Sequence, residues 1–126
     1  MLPNNPAQAY QSAAIENAPP LKVIRMLYAG ALRFLGQAKE AHAARNLPEF
    51  NHYVGRAEAI VSELRGSLDH SHSKALADQL EGLYLFAFAR MIDAIADSAV
   101  EPLEDAINVL EVLLDAWNQL EIAQAS

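Results

Sequence analysis

Four stretches of this chain place apolar side chains three and four residues apart, the spacing of a helix face, and no β-branched strand pattern competes with them. The first runs from about Pro20 to Ala44, with Ile24, Leu27, Ala31, Phe34, Leu35 and Ala38 on one stripe and Pro19 and Pro20 marking its start. The second runs from about Pro48 to Leu68, with Asn46 as its cap, Glu49 in its first turn, and a stripe from Phe50 through Tyr53, Val54, Ala57, Ile60, Val61 and Leu64 to Leu68. The third spans about Ser73 to Ala96. The fourth opens at Pro102, with Glu101, Glu104 and Asp105 where the helix dipole favours anions, and runs to about Ile122. Helices of this length joined by short turns lie antiparallel to their neighbours, which predicts an all-α, up-down-up-down four-helix bundle over residues 19–126. Residues 1–18 hold Pro3 and Pro6 and few apolar side chains beyond Tyr10 and Ile15, and are expected to form an extended arm.

A chain of 126 residues, 52% apolar and 20% charged, suits one domain with one core. It has no cysteine, so disulfides, thiolate metal sites and a cysteine nucleophile are excluded. The first ten residues carry neither a basic residue nor an apolar run, and the longest apolar run, Leu83 to Ala89, is far too short to span a bilayer. These features lead to the expectation of a soluble, cytoplasmic protein without membrane insertion. The net charge of −7 is uneven: residues 1–66 hold seven Lys/Arg against five Asp/Glu, and residues 67–126 hold two against eleven. A half so acidic would repel a phosphate backbone, which argues against nucleic-acid binding.

Catalytic and metal chemistry find little support. Glu49 and His52 have the Glu-x-x-His spacing of di-iron bundles, but Phe50, Tyr53 and Val54 claim the inward face, and a second such pair is missing. His70 and His72 flank Ser71 without the sharp turn or oriented base that a serine nucleophile needs, and read as solvated turn residues. No phosphate-cradling glycine loop occurs. All five glycines fall inside predicted helices, where each costs about 1 kcal/mol relative to alanine. Close approach of neighbouring helices is the expected compensation.

The informative feature is a surplus of apolar surface. In the third helix Leu80, Leu83, Ala87 and Met91 would suffice to face a core, yet Leu85, Phe86, Phe88 and Ile92 are apolar too. In the fourth, Val109, Val112 and Ala116 widen the stripe of Leu103, Ile107, Leu110, Leu114 and Trp117. A central third helix, self-association, or a groove that receives a foreign helix would each account for this, and periodicity does not choose among them.

Several stretches, in order and across residues 8 to 121, resemble the flagellin export chaperones of the FliS family. They are Tyr10 with Ile15-Glu16 and Leu21, Met26-Leu27-Tyr28-Ala29-Gly30-Ala31-Leu32, Ile60-Val61 and Glu63-Leu64 ahead of Ser67-Leu68-Asp69, Leu80 with Leu83-Tyr84, Phe86 and Arg90, and Leu113-Leu114 with Ala116-Trp117. Ala29 and Ala89 depart from the family's usual Asp and basic residue, and the turn Asp97 to Val100 from its usual basic turn. The resemblance implies a chaperone, not an enzyme, that needs no cofactor or metal and sequesters the disordered C-terminal region of flagellin on an apolar surface. Other flagellar regulatory or export proteins are further candidate partners. It also implies an N-terminal arm that covers part of that surface, in a chain that is a monomer or weak homodimer. The alternative is a structural homodimer using the same faces. The residues expected to meet the partner are Tyr10, Ile15, Leu27, Tyr28, Leu83, Tyr84, Leu85, Phe86, Phe88, Val109, Val112 and Trp117. Within the third helix, Leu83 and Met91 are expected on the stripe needed by the core, and Leu85 and Phe88 on the surplus side.

Overall fold

The helical periodicity resolves into α1 (Leu21–Ala43), α2 (Leu47–Gly66), α3 (Lys74–Asp97) and α4 (Glu101–Ala125). The structure, a computed structural model, describes residues 21–71 and 73–125. The expected arm therefore lies outside the described residues. Local chemistry sets the boundaries. The Asn46 side chain accepts a hydrogen bond from the Glu49 backbone N–H at 3.1 Å, Pro48 occupies the first turn, and Glu49 adds an anion at the positive end of α2. α4 starts on Glu101 and Pro102 and gains Glu104 in its first turn, as its sequence predicts.

Two helix ends are made without glycine. After α1, Arg45 adopts a left-handed conformation (φ 60°), and the N–H of Asn46 reaches back to the Ala41 carbonyl at 2.8 Å. After α3, Ser98 does the same (φ 49°), and the N–H of Ala99 reaches the Ala94 carbonyl at 3.0 Å. Both satisfy carbonyls that a helix end otherwise leaves open, and both reverse the chain within three residues.

The helices close into a ring, α1 beside α2, α2 beside α3, α3 beside α4 and α4 beside α1, with α1 and α2 the most closely apposed and α2 and α3 the least. Polar contacts mark three of the four seams: Arg65 to Glu81 (3.0 Å) between α2 and α3, Arg90 to Asp105 (2.8 Å) between α3 and α4, and Lys39 to Glu104 (2.8 Å) between α1 and α4. Exposed pairs of this kind fix register more than they stabilise. The α1–α2 seam is joined by aromatic and small residues. Phe34 stacks on Tyr53 with centroids 6.2 Å apart, and Gly30 is buried where a Cβ would sit 3.3 Å from Ile60 Cδ1. Gly30 thus allows the close approach expected of a helical glycine. Gly36, Gly55, Gly66 and Gly82 face open space, which corrects that expectation for them.

The core is built from Leu35, Phe50, Val54, Val61, Met91, Leu103 and Leu110, interleaved with alanines that bring the backbones together, and no charged residue is buried in it among the described residues. On α3 the inward stripe is Ala77, Tyr84, Ala87, Met91 and Ala94. Leu83 is not on it: 38% exposed, it stands outside the core, and Tyr84 takes the place expected for it. Phe88, expected on the surplus side, is half-buried against the core. Ala87 and Met91 keep their expected inward places and Leu80 packs on the core, so the exchange is confined to Leu83 and Phe88, which the near-continuous apolar character of the helix permits.

Candidate functional site

At 3.6 residues per turn, the side of α3 that bears Arg90, paired with α4, also bears Leu76, Leu83 and Phe86, all exposed. Across the seam α4 presents Val109, Val112 and Leu113, and with Asn108 and Leu83 these line an open depression of about 240 Å³. Val112, 69% exposed, forms its outer lip. The opposite side of α3, which bears Glu81 toward α2, leaves Leu85 and Ile92 exposed. Apolar surface therefore flanks α3 on both seams. Among the described residues no helix is long and apolar enough to cross a membrane.

The residues expected from sequence divide into groups. Leu83, Val109 and Val112 meet around the α3–α4 depression, Phe86 lies beside them on α3, and Leu85 faces the other seam. Leu27, Phe88 and Trp117 are half-buried and packed on the core, offering only part of their surface. Tyr28 and Tyr84 are corrected: at 0% and 2% exposure they belong to the core. Their hydroxyls bond to each other across the bundle, joining the diagonal helices α1 and α3 with ring centroids 6.4 Å apart. Burial pushes the Tyr28 phenol above its ordinary value of 10.0, and hydrogen bonding to the Tyr84 and Trp117 side chains opposes the shift only in part. Tyr10 and Ile15 lie outside the described residues.

Sequence reasoning missed Leu76 and Met26. Leu76 lies seven residues before Leu83 and shares its side of α3, so it follows once Leu83 is placed outward. Met26, 62% exposed, lines a second open groove between α1 and α4 with Lys22, Arg25, Ala29, Leu114 and Asn118. Its signals were its place at the head of the stretch Met26 to Leu32 and its position off the core stripe of Ile24, Leu27 and Ala31.

The polar candidates resolve as well. Glu49 and His52 are exposed, on the polar face expected for them. Ser71 bonds to Asp69, and His70 turns to the acids of α3 instead of to Ser71, so these two form no serine–histidine pair, and His72 lies outside the described residues. His70 is correspondingly not a simple solvated turn residue: its ring lies between Asp78 and Glu81.

The family model described as "Flagellar protein FliS" matches residues 3–125 of this chain. The chain is 33% identical over 114 residues to the flagellar secretion chaperone FliS of Campylobacter jejuni, covering 90% of this chain and 88% of that one. It is 30% identical over 117 residues to the protein of the same name from Vibrio cholerae, covering 90% and 86%. A third relative, the flagellar secretion chaperone FliSB of Pseudomonas aeruginosa, is 30% identical over 113 residues, covering 86% and 90%. With the family model spanning nearly the whole sequence and these relatives aligned over most of their lengths, the chain belongs to the FliS family of flagellar proteins.

Proposed function

We propose that this chain is a cytoplasmic export chaperone that sequesters the C-terminal region of flagellin, preventing premature polymerisation and keeping flagellin fit for export. The observation that carries the reading is kinship along nearly the whole chain with proteins named flagellar secretion chaperones. The open apolar seam of α3 and α4 gives that role a surface: Leu76, Leu83, Phe86 and Val112 are exposed together, where an incoming amphipathic helix would bury them. A segment that folds on binding loses conformational entropy, and continuous apolar contact is the means of offsetting it. The mechanism is stoichiometric covering of a sticky segment, without bond chemistry or nucleotide.

Size-exclusion chromatography tests the reading. Flagellin and the chain should co-elute as an equimolar complex, and flagellin lacking its C-terminal region should elute apart from it. Co-elution with the truncated flagellin would contradict the assignment of the bound segment.

A further inference from the structure

At the corner where α2 gives way to α3, His70 is held between two carboxylates, with Nδ1 3.1 Å from Asp78 Oδ1 and Nε2 3.5 Å from Glu81 Oε1. Each acid uses its other oxygen elsewhere. Asp78 Oδ2 accepts from Lys74 Nζ at 2.7 Å, and Glu81 Oε2 accepts from Arg65 Nε and Nη2, both at 3.0 Å. Two cations thus orient the outer oxygens while the inner pair converges on one imidazole. Asp69, accepting from the Ser71 N–H at 2.9 Å, shapes the turn that presents His70.

We propose that His70, Asp78 and Glu81 form a binding site for one divalent cation of the zinc class. The three side chains can each offer one ligand atom, all within 4.8 Å of one another. Ligands about 2.0–2.2 Å from a tetrahedral zinc lie about 3.3–3.6 Å apart, so the three ligand atoms, now within 4.8 Å of one another, would draw closer around an ion. An ion that takes one imidazole nitrogen, Asp78 Oδ1 and Glu81 Oε1 would replace the ring's contact on that nitrogen and release its other nitrogen from the second carboxylate. It leaves Lys74 and Arg65 on the outer oxygens, as the hydrogen-bonded surround of a metal site requires. Mixed imidazole and carboxylate donors select zinc and its transition-metal neighbours over calcium or magnesium, which take oxygen alone. The ion would tie the turn that follows α2 to α3, beside the seam where neighbouring helices are least closely apposed, and so act as a clip at that corner.

The site is independent of flagellin binding and is tested on the free, chelator-treated full chain with zinc chloride. Isothermal titration should show one ion per chain, and saturating zinc should raise the melting temperature by about 3 °C. His70→Ala and Glu81→Gln should each abolish both effects while retaining the helical circular dichroism spectrum, and His52→Ala should retain both effects. Absence of a saturable heat in the unaltered chain, or unchanged zinc binding by His70→Ala, would overturn the proposal and leave the cluster as an ion-pair network alone.

Discussion

Tyr28 and Tyr84 bond hydroxyl to hydroxyl at the centre of the bundle, so helices that share no seam are joined through their side chains. Both tyrosines are expected from sequence among the residues that meet the partner, and the fold places both inside. Tyr28→Phe removes the cross-bundle bond and should cost about 1 kcal/mol in urea unfolding at neutral pH.

The same residue predicts an alkaline signature. Because burial raises the folded-state value above 10.0, the folded chain keeps the phenolic proton to higher pH than the unfolded chain does. The stability this contributes is complete below pH 10.0 and is lost as pH rises through the raised folded value. Denaturation midpoints followed across that range should fall more steeply for the unaltered chain than for Tyr28→Phe. Parallel slopes would show that Tyr28 is not the group responsible.

The register of α3 supplies a mutational contrast. Met91→Ala should destabilise the bundle by about 2–5 kcal/mol, through lost transfer energy and the cavity left behind. Leu83→Asp and Val112→Asp, on open surface, should change stability by about 0.5 kcal/mol or less. Each should nevertheless weaken flagellin binding at least about tenfold, because an incoming apolar helix would strip water from the new carboxylate. Thermal melts run beside flagellin titrations separate the two classes. Unfolding of Leu83→Asp would place that residue back in the core.

What the sequence made legible, and what it hid, follows from the range of the forces involved. Asn46, Pro48 and Pro102 act on their own backbone neighbourhood, so the starts of α2 and α4 could be read directly. The stripes of α1 and α2 were legible because polar residues bound them, and that of α4 because Val109, Val112 and Ala116 widen it on one side only. α3 has no such contrast, so Leu83 and Tyr84 competed for one inward position. The contest is decided by Tyr28, 56 residues away, which satisfies the Tyr84 hydroxyl. The ends at Arg45 and Ser98 were hidden because left-handed helix ends are usually glycine, and here the glycines lie in helices. The partners of His70 were hidden for a related reason: a turn histidine looks solvated until α3 folds back beside it.

Two glycines test how much of that distribution is structural. Gly55→Ala meets nothing within 4 Å and should stabilise the free chain by about 0.5–1 kcal/mol. Gly30→Ala gains the same helix propensity, but its Cβ crowds Ile60 at 3.3 Å, so its net effect should be less favourable. Urea denaturation of the two variants provides the comparison. An equal gain from both would mean that the α1–α2 seam relaxes freely around Gly30.

Capture of the C-terminal region of flagellin on apolar surface can be measured by isothermal titration of the chain with that isolated peptide. One peptide should bind per chain, without dependence on nucleotide and with a negative heat-capacity change from buried apolar area. A peptide from the opposite end of flagellin should give no heat of binding. Absence of binding by the C-terminal peptide, or equal binding of the two peptides, would overturn the proposed function.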